Sequence, residues 1–253
     1  MSAFAHPTTM KFFRPLALHL LVACLPFLSS ASAAKPKISA DISLELLMAG
    51  NSRFVAGRLT HPDQTVTRRK ELAQGQQPFA IVLTCADSRV SPEIFFDQGL
   101  GDIFVLRNAG NILDDHTIGS IEYAVEHLGS GLIIVVGHAK CGAVGAAVAG
   151  GHAPGHIPSI VESIQPAVAA SAGEAGDKVD NAVRANARMV AAALQKSEPI
   201  LSDAVKRDHV KVVAARYDLA TGKVEILGAA QPAPEVVAAS ATPAAHAEHP
   251  AHY

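Results

Sequence analysis

The sequence, 253 residues long, contains no tryptophan, and aromatic residues make up only 5% of it. Its core must therefore be filled by Ala, Val, Ile and Leu, which suits a parallel sheet covered by alanine-rich helices. No basic run is present and the formal net charge is -2. A nucleic acid partner is not expected, because phosphate binding needs concentrated Lys and Arg to release counterions. Three cysteines are too few for a disulfide scaffold, and Cys24 falls in a stretch expected to leave the mature protein. The apolar run Pro15 to Leu28 is shorter than the roughly 20 residues a helix needs to span a bilayer. No membrane span is expected.

What is present at the two ends reads as sorting and solvation rather than fold. Lys11 and Arg14 precede the apolar run, and small residues follow it through Ser32-Ala33-Ala34. Residues 1–34 are thus read as a signal peptide cleaved near Ala33 or Ala34, which sends the mature domain to the periplasm. A start at Met10 would make that signal more compact. Leu21-Val22-Ala23-Cys24 offers the alternative of a lipoprotein anchored through Cys24. After Gly228 the composition turns to Ala, Pro, Ser and His with no period that a helix or strand could bury, so residues 229–253 are read as a disordered tail. His246, His249 and His252 leave stray metal capture open beside a plain solvated tail. One domain, residues 38–228, remains.

Within it, Ile42, Leu46, Leu47 and Phe54 mark an amphipathic helix ending at Gly57, and Thr67 to Gln74 a second. Phe79 to Leu83, Ile103 to Leu106 and Leu132 to Val136 are short continuous apolar runs, the pattern of strands buried on both faces. Ser91-Pro92-Glu93 reads as a helix start with Ser as cap, and Thr117 to Leu128 carries helical periodicity. Helices are expected over Ser159 to Ser171 and Asp177 to Lys196, then strands Val210 to Tyr217 and Lys223 to Leu227 joined at Thr221-Gly222. The alternation predicts a three-layer α/β/α fold, Rossmann-like, with a mainly parallel central sheet.

Ligands in such sheets bind beyond the carboxyl ends of the strands. Cys85-Ala86-Asp87-Ser88-Arg89 follows the first strand, and Gly137-His138-Ala139-Lys140-Cys141-Gly142 follows the third. Cys85, His138 and Cys141 are thereby brought together. Two thiolates and one imidazole suit zinc, and three protein ligands leave a fourth position for water, as in catalytic sites. In an exported protein a Cys85–Cys141 disulfide is the rival reading. The histidine three residues before Cys141, and the acid-base pair beside Cys85, are features that a disulfide does not need.

These two motifs, Cys-x-Asp-Ser-Arg and His-x-x-Cys, resemble those of the β-class carbonic anhydrases, and the likeness runs from about Leu44 to Leu227. Arg107-Asn108-Ala109-Gly110-Asn111 and Ser120-Ile121-Glu122-Tyr123-Ala124 look like further family segments. The resemblance implies one Zn2+ per chain, reversible hydration of carbon dioxide to bicarbonate by zinc-bound hydroxide, and a homodimer or higher homo-oligomer with each site at a subunit boundary. It implies that Asp87 orients the hydroxide while Arg89 restrains Asp87, which would otherwise bind the zinc itself. Gln76 would donate a hydrogen bond to a substrate oxygen, and Phe104 and Tyr123 would line an apolar cleft. Gln76 and Tyr123 would come from the opposite subunit. The backbone N–H of Gly142 would steady bicarbonate, and His127 matches the proton-shuttle position. Because Trp is absent and the Gln76, Phe104 and Tyr123 set matches the plant-like subgroup, a water-bound zinc is expected rather than one closed by Asp87. Two alternatives share the ligands: a carbon disulfide or carbonyl sulfide hydrolase of the same fold, and a noncatalytic zinc-binding protein, which should lack the Asp87 and Arg89 pair.

Overall fold

The computed structural model describes residues 38–228. The expected signal peptide, Cys24 and the Ala/Pro/His-rich tail lie outside the described residues. Five strands form one sheet: β1 (Ala80–Cys85), β2 (Ile103–Asn108), β3 (Leu132–His138), β4 (Lys211–Tyr217) and β5 (Val224–Leu227), in the order β2-β1-β3-β4-β5. All neighbours run parallel except β5, which returns antiparallel along β4. The expected mainly parallel α/β fold is therefore observed.

The strand sequences explain this arrangement. In β1 and β3 every residue is buried, so both faces of the sheet need covering, and alternate side chains divide between two cores. Ile81, Leu83, Ile133 and Val135 pack on one face with Ile121 of α4 (Asp115–Glu126), Leu194 of α7 (Lys178–Lys196) and Leu201 of α8 (Ile200–Lys206). Val82, Leu132, Ile134 and Val136 pack on the other with Leu47 of α1 (Ala40–Val55) and with Phe95 and Phe96 in and after the single turn of α3 (Pro92–Phe95). A third cluster joins Cys85 and Cys141 to Val144 of α5 (Gly142–Ala149), Ile164 of α6 (Ile157–Ala170) and Val183 of α7, and it caps the carboxyl end of the sheet. The short α2 (Val66–Leu72) lies ahead of β1. Among the described residues no helix is long and apolar enough to cross a membrane.

Several boundaries differ from expectation. The strands do not stop where their apolar runs stop, because ladder pairing continues through polar residues, with Cys85 opposite Asn108 and His138 opposite Tyr217. Cys85 and His138 are the last residues of their strands rather than the first residues after them. Ser91 makes no side-chain cap bond to α3. Helix α4 starts earlier than the periodicity indicates, since the Asp114 carboxylate caps it by accepting from the Thr117 N–H at 2.7 Å. Helices α5 and α8 are additional to the expected set. The sequence of α5, GAVGAAVA, has no polar face from which a helical period can be read.

Candidate active site

The order β2-β1-β3 makes the gap between β1 and β3 a point at which successive crossovers leave in opposite directions, the place where open α/β sheets accept ligands. Cys85 ends β1, His138 ends the adjacent β3, and Cys141 takes the N-cap position of α5 after a tight loop in which Lys140 has φ 53°. All three are buried, and their ligand atoms lie within 4.8 Å of one another. The two Sγ atoms are 4.0 Å apart, about twice the 2.05 Å of a disulfide. The rival disulfide is not formed.

This cluster is built to fit a metal ion. The Nδ1 of His138 lies 2.9 Å from the carbonyl oxygen of Ala139, which assigns it the proton and leaves Nε2 as a lone pair. That Nε2 is buried and has no hydrogen-bond partner, an arrangement that costs about 1–3 kcal/mol unless something accepts the lone pair. Tetrahedral zinc with Zn–S bonds of about 2.3 Å sets its sulfurs roughly 3.8 Å apart, close to the spacing found. The thiols are electrostatically unequal. A hydrogen bond from Cys141 holds the Cys85 thiol far below its ordinary pKa, helped by the Gly110 N–H at 3.4 Å. The same contact, together with burial, pushes Cys141 up. A cation bound between the two sulfurs would displace the proton of their contact.

Asp87 overlooks this cluster, with Oδ2 3.9 Å from His138 Nε2. Arg89 grips its carboxylate in a fork, Nε to Oδ1 at 2.9 Å and Nη2 to Oδ2 at 2.6 Å, and the Arg89 backbone N–H adds 3.0 Å to Oδ1. The guanidinium holds the Asp87 carboxyl well below the usual carboxylate range. Arg107, at the end of β2, donates to the carbonyls of Cys85 (3.1 Å) and Asp87 (2.7 Å). One arginine therefore fixes the carboxylate and the other fixes the backbone that carries it. In the sequence Arg107 stood only inside a family segment; the signal for its role was a cation at the carboxyl end of the neighbouring strand.

A family model described as carbonic anhydrase matches residues 80–224. The chain belongs to the β-class carbonic anhydrases. It is 41% identical over 192 residues to carbonic anhydrase 2 of Mycobacterium tuberculosis, covering 74% of this chain and 93% of that one. Over 184 residues it is 41% identical to the carbonic anhydrase of Mycolicibacterium smegmatis, covering 71% and 89%. Among solved structures it resembles a β-carbonic anhydrase of Sordaria macrospora described as tetrameric, with TM-score 0.61 at 25% identity over 74% of this chain and 98% of that one. It also resembles the Coccomyxa β-carbonic anhydrase in complex with acetazolamide, with TM-score 0.56 at 28% identity over 73% and 84%.

Of the remaining residues singled out in the sequence, only Gly142 joins the cluster in this carbonic anhydrase, as the first residue of α5. Gln76, Phe104, Tyr123 and His127 do not. Gln76 precedes β1, whose six residues put roughly 17 Å between its start and Cys85. Pro78 is pinned at the amino end of the sheet, where its carbonyl accepts from Ser130 Oγ at 2.7 Å, and the two residues beyond it are too short to return. Phe104 is paired with Ile81, four positions before the Asn108 that faces Cys85, about 13 Å along the sheet. It thus keeps company with Gln76 rather than with the thiols of its own chain. Tyr123 and His127 share a face near the end of α4, their rings 5.2 Å apart, and both are exposed.

Proposed function

We propose that this carbonic anhydrase hydrates carbon dioxide reversibly with one zinc held by Cys85, His138 and Cys141, in a homodimer or larger assembly that completes each site across a subunit boundary. The observation that carries the reading is the buried, unpartnered Nε2 of His138 beside two free thiols and a carboxylate. Zinc, when bound there, supplies a Lewis acid that lowers the pKa of water to about 7, a figure established for carbonic anhydrase sites with three histidines. The chain's own residues do the rest. Asp87, its carboxylate fixed by Arg89, would accept a hydrogen bond from the nucleophile and hold it oriented toward the substrate carbon. Arg89 and Arg107 keep Asp87 from swinging toward the cation. The Gly142 N–H, at the start of α5, faces developing negative charge with the positive end of a helix dipole.

Gln76, Phe104 and Tyr123 serve the site of a second copy in this reading: Gln76 hydrogen-bonds a substrate oxygen, and the two rings exclude water from a nonpolar gas. His127 passes the proton from that cleft to solvent. The assembly is supported by exposed apolar residues at the start of α1, where Ile42 and Leu46 stand one turn apart and are 50% and 41% exposed, and by Ile38 just ahead of the helix, 40% exposed. It is supported also by β2, an edge strand with no fully buried residue. Residues 1–34 direct export to the periplasm. The test is stopped-flow carbon dioxide hydration on protein with zinc quantified. Fast turnover proportional to zinc content is expected, whereas one zinc per chain without turnover overturns the enzymatic reading.

A further inference from the structure

We propose that Asn186 is a positioning residue for the metal centre: from the middle of α7 it holds the carbonyl of Gly110, and so fixes the turn at Gly110 whose preceding peptide aims its N–H at the Cys85 sulfur. This inference rests on the reading of Cys85, His138 and Cys141 as a metal site. Asn186 is the one polar residue buried on α7, beside Ala182 and Val183 of the cluster that holds Cys85 and Cys141. Asparagine is a poorer helix former than the alanines around it, and burying its amide is costly unless the amide is bonded. Its Nδ2 donates to the Gly110 carbonyl at 2.9 Å across 76 residues of sequence. The Gly110 N–H in turn donates to Cys85 Sγ at 3.4 Å.

Gly110 suits this relay for two reasons. It adopts φ 77° and ψ 14°, a left-handed conformation that glycine takes at no steric cost. An added Cβ would meet Ile164 Cδ1 at 2.6 Å and Ala143 Cβ at 3.2 Å. The turn is also tied from within, because Asn108 accepts from the Ile112 N–H and donates to the Ile112 carbonyl, both at 2.9 Å. With Asn108 closing the turn on itself, Asn186 is the group that ties it to α7. An N–H bonded to a thiolate draws charge from the sulfur, and partners of this kind orient a ligand and tune its metal. Losing Asn186 strands the Gly110 carbonyl, frees the turn and turns the N–H away from Cys85. The sulfur then becomes a less oriented and more electron-rich ligand.

The experiment uses the full metal-loaded protein. Metal content of the wild type is measured first. A wild type that takes up no metal overturns the metal site and this proposal with it; a loaded wild type lets the proposal fail alone. Asn186→Leu, which keeps the volume and removes the donor, and Asn186→Ala are compared with Val190→Ala, which destabilises the same helix from a different core. We expect both Asn186 variants to release zinc to a chelator about 10-fold to 100-fold faster than wild type. In cobalt-substituted protein their thiolate-to-cobalt charge-transfer band should move to lower energy, and Val190→Ala should change neither reading. Wild-type release and an unmoved band overturn the proposal. So does faster release shared equally by Val190→Ala with no band shift, which would make Asn186 plain scaffold. Should both variants fail to fold, cadmium-113-loaded wild type decides: scalar coupling from the metal to the Gly110 amide proton is expected, and its absence overturns the proposal.

Discussion

If Gln76 cannot reach the thiols of its own chain, two crippled chains should repair each other. Gln76→Ala removes the donor at the amino end of the sheet, and Asp87→Asn removes the acceptor at the carboxyl end, roughly 17 Å away along β1. As homodimers each variant should run at about 1% of wild type or below, since losing one group that acts on the reacting atoms costs about 10²–10³ in rate. In a two-fold dimer of unlike chains the defects segregate: one site receives both substitutions and the other receives neither. Random pairing makes about half of the dimers mixed, so about one quarter of all sites regain every group. Co-expressing the two chains under different tags, purifying through both, and measuring stopped-flow hydration per zinc should therefore give about half of wild-type activity in the mixed dimer. Activity no higher than the mean of the two parents would show that Gln76 serves the zinc of its own chain, and the shared-site reasoning would be refuted.

Asp87 and Arg89 should behave as a unit. Arg89→Ala and Asp87→Asn should each lower hydration by orders of magnitude, while the double variant loses far less than the product of the two; strictly multiplicative losses at full zinc occupancy would give Arg89 a separate role. Asp97 makes a pH-dependent contribution to stability. Burial raises its carboxyl pKa, but the Thr60 and His61 N–H groups, Arg53 and the Thr60 hydroxyl outweigh that and hold it well below the usual range. That stability is present above the unfolded value of about 3.9 and is lost as pH falls below it. Asp97→Asn should lower the urea midpoint at pH 7, with a gap to wild type that closes as pH falls from about 4; a gap independent of pH contradicts this. Gly137→Ala puts a Cβ 2.9 Å from Val183 Cγ1 and 3.2 Å from its carbonyl oxygen, and it should cost about 1–3 kcal/mol. Val183→Ala should restore part of the loss in denaturant titrations, and an unchanged midpoint for Gly137→Ala alone would mean that α7 packs less tightly on β3.

The buried strands and the two ligand motifs were legible in the sequence for the same reason: a strand covered on both faces is a short apolar run, and a chemical group at its carboxyl end interrupts that run. Where burial leaves no period the sequence was silent, as in α5, which is apolar on every side, and in the strand ends, where backbone pairing carries Thr84-Cys85 and Gly137-His138 into the sheet. The roles of Arg107, marked only as a cation at a strand end, and of Asn186, unmarked, were hidden for another reason. Each acts on a backbone carbonyl, at Cys85, Asp87 or Gly110, and a carbonyl leaves no residue type to recognise. Gln76, Phe104 and Tyr123 stood out by family likeness, but only the sheet register separates Phe104 from the thiols of its own chain.

The bond from His138 to the Ala139 carbonyl has an electrostatic consequence. Many metal-binding imidazoles lean on a carboxylate, which adds a negative charge just outside the metal's ligands. Here the support is a neutral peptide oxygen contributed by the next residue, so the imidazole enters the balance with no charge of its own or of its partner. A divalent cation would be matched by the two thiolates, and Asp87 is cancelled by Arg89. Those charges cancel, and the surplus is the guanidinium of Arg107, which donates to the neutral carbonyls of Cys85 and Asp87 and pairs with no carboxylate among the described residues. A neutral gas entering such a site would meet no tightly held counterion, whereas an anionic product would leave against the pull of that one guanidinium.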